Sequence, residues 1–512
     1  MAQMPEKQVV VIGAGPAGLT AAYELCKADI ASVVIEKDDV VGGLARTVNY
    51  KDYLFDIGGH RFFTKVHAVE AMWREVLSEQ DFLRCQRLSR IYYNKKFFYY
   101  PLRVANALFG LEPWNCFLIL LSYLWAQLFP VRPEESFEAW VSNRFGKRLY
   151  RIFFKTYTEK VWGIPCSEIR AEWAAQRIKG LSLLTALKGA LFKQPKRQGT
   201  VIKTLIDAFD YPARGPGMMW ETVAEMIQQR GSELLLDFEV HKIHWTEGQV
   251  QMVECTSQGH TMFVHGTDFI SSMPIQELIQ KFAPPVPAAV LRAALQLHYR
   301  DFITVALVVN KATIFPDNWI YVHDPGVKLG RIQNFKNWSP HMVPDATKTC
   351  LGLEYFCFEG DGLWMMPDEE LIALGKRELA KIGLVQADDV IDGAVVRMPK
   401  AYPVYDAIYA ESLQTVRQFL GRIGNLQLVG RNGMHKYNNQ DHSMLTAMLA
   451  VKNILGAHYD LWQVNTDQAY HEEIRQDTEA DTYRRLQTTQ PLVPESLVQT
   501  AHTSVLPVQE GN

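Results

Sequence analysis

A chain of 512 residues with 48% hydrophobic and 21% charged residues is a folded chain of two or three domains, neither disordered nor fibrous. Its formal net charge of −3 supplies no global field for nucleic acid or for an acidic membrane, so neither is expected as a partner. The seven cysteines, at 26, 85, 116, 166, 255, 350 and 357, lack CxxC spacing, so no metal site or disulfide framework is expected and a reducing, cytoplasmic setting fits.

The first residues, MAQMPEKQ, are polar and give no signal-peptide pattern. From Val9, VVVIGAGPAGLTAAYEL reads as an apolar strand, a glycine turn and an amphipathic helix. Gly13 permits the tight turn, and Gly15 lets a pyrophosphate approach the backbone of Pro16 and Ala17. Gly18 lets the helix pack on the strand, and the helix N-terminus attracts the phosphates. A second strand, SVVIEK, ends at Glu36 and Lys37, where a carboxylate accepts the ribose hydroxyls. Strand, turn, helix, second strand and acid together predict a dinucleotide-binding unit.

Residues 66–200 read as mostly helical, with VHAVEAMWREVL and EESFEAWVSNRFGKRLYRIFFKTY as examples. The longest apolar run, CFLILLSYLWAQLF at 116–129, is too short to span a bilayer and is expected to be a buried helix, not a membrane contact. In KTYTEKVWGIP, Tyr157 and Trp162 stand five residues apart and cannot share one helical stripe, so the segment is expected to end a helix beside a cleft. GPGMMWETVAEMIQQRG, 215–231, is a glycine turn and a helix. FITVALVVN, NWIYVHD and CLGLEYFCF suggest an antiparallel sheet. Near the end, Leu426–Val429 is a strand, followed by a glycine turn and a helix from about His442 capped by Asp441 or Ser443. The polar tail after about residue 485 is expected to be disordered.

The stretch DDVVGGLARTV, with Gly42, Gly43, Leu44 and Arg46, resembles the FAD-binding pattern of the amine oxidase, protoporphyrinogen oxidase and phytoene desaturase superfamily. The resemblance implies that Gly43 and Arg46 approach the FAD phosphates and that Gly59 and His60, in DIGGHRFFTK, lie near the flavin. It also implies that the late strand–glycine–helix unit completes the cofactor site.

Further segments resemble the UDP-galactopyranose mutases of that superfamily. YTEKVWG is similar to their YTEKQWG, GGHRFFT to GAHIFHT, GRIQNFKNW to the segment beginning TRIIE, and AYPVYD and GRNGMHKY to two later motifs in the same order. The resemblance implies an α/β fold. It comprises a discontinuous FAD-binding Rossmann-type domain (1–65, 201–275, 410–456), a helical subdomain (66–200), an antiparallel-sheet substrate domain (276–409) and a C-terminal extension (457–512). It further implies redox-neutral interconversion of the ring forms of a UDP-sugar by reduced FAD, with NAD(P)H or another reductant supplying the electrons. By it, Tyr157 stacks on the uracil and Trp162 borders the sugar cleft. Arg177, Arg331, Tyr402 and Tyr437 hold the diphosphate, and Arg431 contacts the flavin side. Two positions depart from the pattern. An aspartate of the family is Asn439 here, with Asp441 the nearest acid, and its second loop histidine is Phe63, which leaves the sugar open. The competing readings are an FAD oxidoreductase of the amine oxidase, protoporphyrinogen oxidase or phytoene desaturase type, and a catalytically silent flavoprotein. The sequence leaves the oligomeric state open.

Overall fold

The computed structural model describes residues 7–100, 106, 110–171 and 207–465. The fold is α/β. Its first sheet is parallel and five-stranded, in the order Leu426–Leu428, Asp268–Ser271, Val9–Ile12, Ser32–Ile35 and Glu233–Leu235. Val9, Val10 and Val11 have no exposed surface, as the centre of a sheet covered on both faces requires. The helices Pro16–Lys27, Gly217–Gln229 and Gln440–Ile454 pack with it into the largest apolar core. Three distant stretches of chain therefore meet beside the glycine turn. A four-stranded sheet adjoins them, in the order His260–His265, Gln249–Ser257, Glu239–Thr246 and Phe282–Ala283.

The expected antiparallel sheet is seven-stranded. Its order is Val390–Pro403, Tyr299–Val309, Thr349–Cys357, Arg331–Asn334, Trp319–Val322, Ser89–Tyr93 and Lys96–Tyr99. The last two strands correct the reading of 66–200 as mostly helical, as does Phe82–Gln86, which pairs with Ala208–Pro212. Asn94 and Lys95 both take left-handed φ, at 47° and 59°, which makes a two-residue hairpin turn of the twist that strands favour. Four aromatic residues in RIYY and KFFY then pack better on a sheet than on a helix. Ser89–Tyr93 joins Trp319–Val322 in the one parallel pairing of this sheet among the described residues.

The remainder of the expected helical region does form helices: Pro113–Leu128, Phe137–Phe145, Lys147–Tyr150 and Thr156–Trp162. A π-helical turn, Arg151–Lys155, precedes the last of them. The expectation that 116–129 is buried is wrong. In Pro113–Leu128 only Ile119 and Tyr123 are buried. The tail after 485 and Arg177 lie outside the described residues. Among the described residues no helix is long and apolar enough to cross a membrane.

Candidate functional site: a cofactor groove that opens into an arginine-lined chamber

A cavity of about 310 Å³ runs along the C-terminal ends of the parallel strands. Gly13, Gly15, Pro16, Ala17, Glu36, Lys37, Gly43, Leu44 and Arg46 all line it, as does the late segment Gly430–Asn432. Gly13 needs its φ of +100°. Gly18 lies outside the lining, and a Cβ there would meet the Gly13 carbonyl oxygen at 1.7 Å, so it sets the approach of helix to turn. At Gly15 a Cβ would meet only Gly43 Cα, at 3.9 Å, so this turn is a bare backbone cradle facing the cavity. Pro16 starts the helix with Gly15 as its N-cap, which points unpaired backbone N–H groups at the cradle. Glu36 Oε2 accepts a hydrogen bond from Ala14 N at 2.7 Å, and Oε1 accepts from Asp38 N at 3.0 Å. Burial raises the Glu36 pKa, against these two bonds. Arg46 Nη1 donates to Asp38 Oδ2 at 2.6 Å, which holds the guanidinium in the wall. An extended groove with a phosphate cradle in its floor and a fixed carboxylate at the end of the second strand fits a dinucleotide.

Leu44, His60, Arg431 and Gln440 also line a second cavity, of about 110 Å³, so the groove opens into a chamber. Gly59, Arg331, Tyr402, Tyr437, Asn439, Phe63 and Asp441 line this chamber together with Arg61 and Phe302. Six separated stretches of sequence thus meet in one small volume. Tyr402 and Tyr437 stack with ring centroids 5.6 Å apart and planes 15° apart. Arg431 lies over both rings and donates to the carbonyls of Asn438 and Ala401, at 2.9 and 3.0 Å. Arg331 Nε donates to Glu354, a carboxylate with no exposed surface, and Gln333 Nε2 donates to its other oxygen at 2.8 Å. Burial disfavours the Arg331 charge, but the Glu354 carboxylate and the neighbouring tyrosines Tyr157, Tyr402 and Tyr321 together outweigh it and raise the pKa, so the guanidinium stays protonated. Burial, with the charges of Arg431 and Arg331, lowers the His60 pKa to about 3. His60 is therefore neutral at ordinary pH, and its Nδ1 has no hydrogen-bond partner among the described residues.

Two expected substrate residues stand elsewhere. Neither Tyr157 nor Trp162 lines either of these cavities. Trp162 is buried behind the chamber, with its ring 6.3 to 6.4 Å from those of Tyr402, Tyr405 and Tyr437. Tyr157 stacks on His323 at 4.8 Å with planes 7° apart, and Tyr321 meets its edge. The two rings do face different ways, but each packs on protein. Arg300 fixes the helix that carries them: it donates to the carbonyls of Lys160, Val161 and Phe356. The expected cap at Asp441 or Ser443 is also corrected. That late helix starts at Gln440, and Asn439 closes a capping box with His442 whose Nδ1 accepts from Asn439 N at 3.3 Å. Asn439 is extended, with φ −74° and ψ 176°, which an N-cap requires and residues inside the helix lack. Asp441 instead accepts from Thr64 Oγ1 at 3.1 Å. Sequence reasoning missed Arg61, Gln333 and Glu354. A lone carboxylate inside the apolar strand CLGLEYFCF was the available signal for Glu354, because an acid is buried there only with a partner. Among the described residues, no cluster of His, Cys, Asp or Glu is placed to hold a metal.

Comparison with known proteins places this geometry. The chain is 20% identical to a crystal structure of reduced UDP-galactopyranose mutase, with a TM-score of 0.77 over 91% of this chain and 99% of that one. It is 16% identical to wild-type putrescine oxidase bound to putrescine, with a TM-score of 0.57 over 88% and 99%. These likenesses establish the fold. An L-amino-acid oxidase of Crotalus adamanteus is 24% identical over 328 residues, which cover 60% of this chain and 58% of that protein. The chain thus spans less than two thirds of the length of that curated relative. The family model for flavin-containing amine oxidoreductases matches residues 16–437, from the start of the first helix to the chamber tyrosine, and FAD is the group that the groove holds. On that match over most of its length, the chain belongs to the flavin-containing amine oxidoreductase family.

Proposed function

We propose that this flavoprotein acts as a redox-neutral mutase on a nucleotide-linked sugar, UDP-galactopyranose mutase-like, with reduced FAD as the working form. The observation that carries the reading is the charge of the chamber. Arg61, Arg331 and Arg431 line it against one lining carboxylate, Asp441, together with the stacked tyrosines and a neutral imidazole. Such a chamber repels the ammonium of an amine or amino-acid substrate and suits a phosphorylated one. Leu44, His60, Arg431 and Gln440, which line both groove and chamber, would hold the flavin end of FAD, and bound FAD would supply the reactive centre.

In this reading Arg331 and the hydroxyls of Tyr402 and Tyr437 hold the diphosphate, and Arg177 adds to them. Asn439 and the neutral His60 hydrogen-bond the sugar. The chamber, at about 110 Å³, is below the usual 300–1,000 Å³ of small-molecule sites, so it takes only the reacting end of the substrate. The nucleotide lies outside it, towards Tyr157. The discontinuous domain 1–65, 201–275 and 410–456 carries the cofactor and lends His60, Tyr437 and Asn439 to the substrate domain 276–409. Support comes from the sequence motifs and from the fold likeness to the mutase.

The test is to reduce the purified protein without oxygen, add UDP-galactopyranose or another UDP-hexose, and follow its ring form by chromatography. The expected result is a new ring form, no consumption of reductant per turnover, and a shifted flavin spectrum on adding UDP. Oxygen uptake with an amine or L-amino acid, and no response to UDP, would overturn the proposal in favour of the oxidase reading, which the family membership itself supports.

A further inference from the structure

The loop 430–439, between strand Leu426–Leu428 and helix Gln440–Ile454, brings Arg431, Tyr437 and Asn439 to the chamber. It is neither helix nor strand, so its backbone groups need partners outside any ladder to fix them. Two bonds come from the near side. Asn438 Nδ2 donates to the Gly430 carbonyl at 3.0 Å, and Tyr437 N donates to the Tyr405 hydroxyl at 2.6 Å. The others come from the start of the expected C-terminal extension. Beyond the helix, Gly456 turns the chain with φ +102°. Asn453 then bonds the N–H and the carbonyl of Tyr459, at 2.7 and 2.9 Å, and the chain returns along the helix towards its first turn. There Lys436 Nζ donates to the carbonyls of Trp462 and Val464, at 2.8 and 2.5 Å. In the opposite direction, Asn465 Nδ2 donates to the Tyr437 carbonyl at 3.0 Å and to Asn438 Oδ1 at 3.2 Å. Leu461 and Val464 are buried, and the Arg417 guanidinium lies 4.2 Å over the Trp462 ring.

We propose that residues 461–465 form a strap that positions Tyr437 for the anionic part of the substrate, with Lys436 and Asn465 as its positioning residues, an inference that rests on the phosphorylated substrate proposed above. The strap does not grip the helix or the sheet. It grips the main chain on both sides of Tyr437: the residue before it through Lys436, its own carbonyl through Asn465, and the residue after it through Asn438 Oδ1. With its N–H on Tyr405, the backbone of Tyr437 is held from both directions, and its ring stacks on Tyr402 inside the chamber. A hydroxyl that contacts a diphosphate must be placed to a fraction of an ångström, because a shift of about 1 Å costs about a hundredfold in rate. Burial, then the charge of Arg417, lowers the Lys436 pKa to about 8. The ammonium is thus still charged at neutral pH, and a cation taken out of water is kept there by charge-assisted bonds to the two strap carbonyls.

The experiment titrates inorganic pyrophosphate, and separately UDP, against flavin fluorescence in the FAD-loaded full chain. Asn465→Ala and Lys436→Met are each expected to bind pyrophosphate about tenfold more weakly than wild type, with unchanged flavin content. If Lys436→Met does not fold, Asn465→Ala carries the same reading. Tyr437→Phe removes the hydroxyl itself, and adding Asn465→Ala to it is expected to cost less than about twofold more, because the strap then has no hydroxyl to place. Wild-type affinity in Asn465→Ala would overturn the proposal, as would a wild type that does not bind pyrophosphate. Losses that add in full in the double variant would also overturn it, since the strap would then act on the fold and not through Tyr437. Pyrophosphate binding as expected, with no response to UDP, would support the strap and remove the nucleotide from the function proposed above.

Discussion

The cofactor groove and the chamber are neighbours, but they are made in different ways. The groove floor is backbone: Gly13, Gly15 and the first turn of one helix, all within a few residues of each other. The chamber is side chain: Arg331 from one strand, held by Glu354 from the next, Tyr402 from the far edge, and Tyr437 from the loop before helix Gln440–Ile454. A backbone site tolerates any sequence that keeps its glycines, whereas a side-chain site depends on each buried charge keeping its partner. Substitutions should therefore empty the groove without unfolding it, and should unfold the chamber before emptying it.

The largest effect is expected at Arg331. Arg331→Ala leaves the Glu354 carboxylate, which has no exposed surface, without its cation. Loss of one partner of such a pair costs about 3–5 kcal/mol. Urea unfolding should show that loss, and adding Glu354→Gln should restore most of it while UDP binding stays weak. If Arg331→Ala were fully stable, the chamber would not be charge-coupled and the contrast with the groove would fail.

Gly15→Val probes the other side. The protein around Gly15 leaves room for a Cβ, so the fold should keep its melting temperature. The branched side chain occupies the cradle, and FAD affinity should fall about a hundredfold, or about 3 kcal/mol. Absorbance of bound flavin per mole of protein measures it.

A third prediction concerns pH. Burial, then the charge of Lys160, lowers the His323 pKa to about 3. Burial lowers that of His435 to about 4. Both fold as neutral rings, and the unfolded chain takes up protons below about pH 6.5. Their contribution is complete above that pH and is lost as pH falls from there. At pH 4.5 the cost is about 2–3 kcal/mol for His323. His323→Phe keeps a ring against Tyr157 and should flatten the decline of melting temperature between pH 6.5 and 4.5. An unchanged slope would count against the buried neutral ring.

The smallest effect is expected at Gly163, which ends the Tyr157–Trp162 helix with φ +69°. A Cβ there would lie 2.6 Å from the Arg300 guanidinium. Gly163→Ala should cost about 1–2 kcal/mol in thermal unfolding and should weaken UDP binding only if that helix borders the substrate.

These differences explain what reading the residues alone reached. The glycine turn, Glu36 and the dinucleotide groove were legible because short-range geometry requires glycine at positive φ, an apolar strand before it and a helix N-terminus after it, and resemblance then named FAD. His60, Arg331, Tyr402, Tyr437 and Arg431 were named by motif resemblance, and nothing in their spacing shows that they line one chamber. Glu354 escaped notice because the value of a buried carboxylate depends on an arginine 23 residues earlier in sequence. The hairpin at 89–99 escaped because its turn uses Asn94–Lys95 in place of a glycine. The helix at 113–128 shows the same limit most plainly. Its apolar run and its period were on the page, but the face it turns outward depends on Asn115 and Ser122 finding partners across the fold. Sequence sets which side of a helix is apolar, and only the tertiary packing decides whether that side meets the core or the outside.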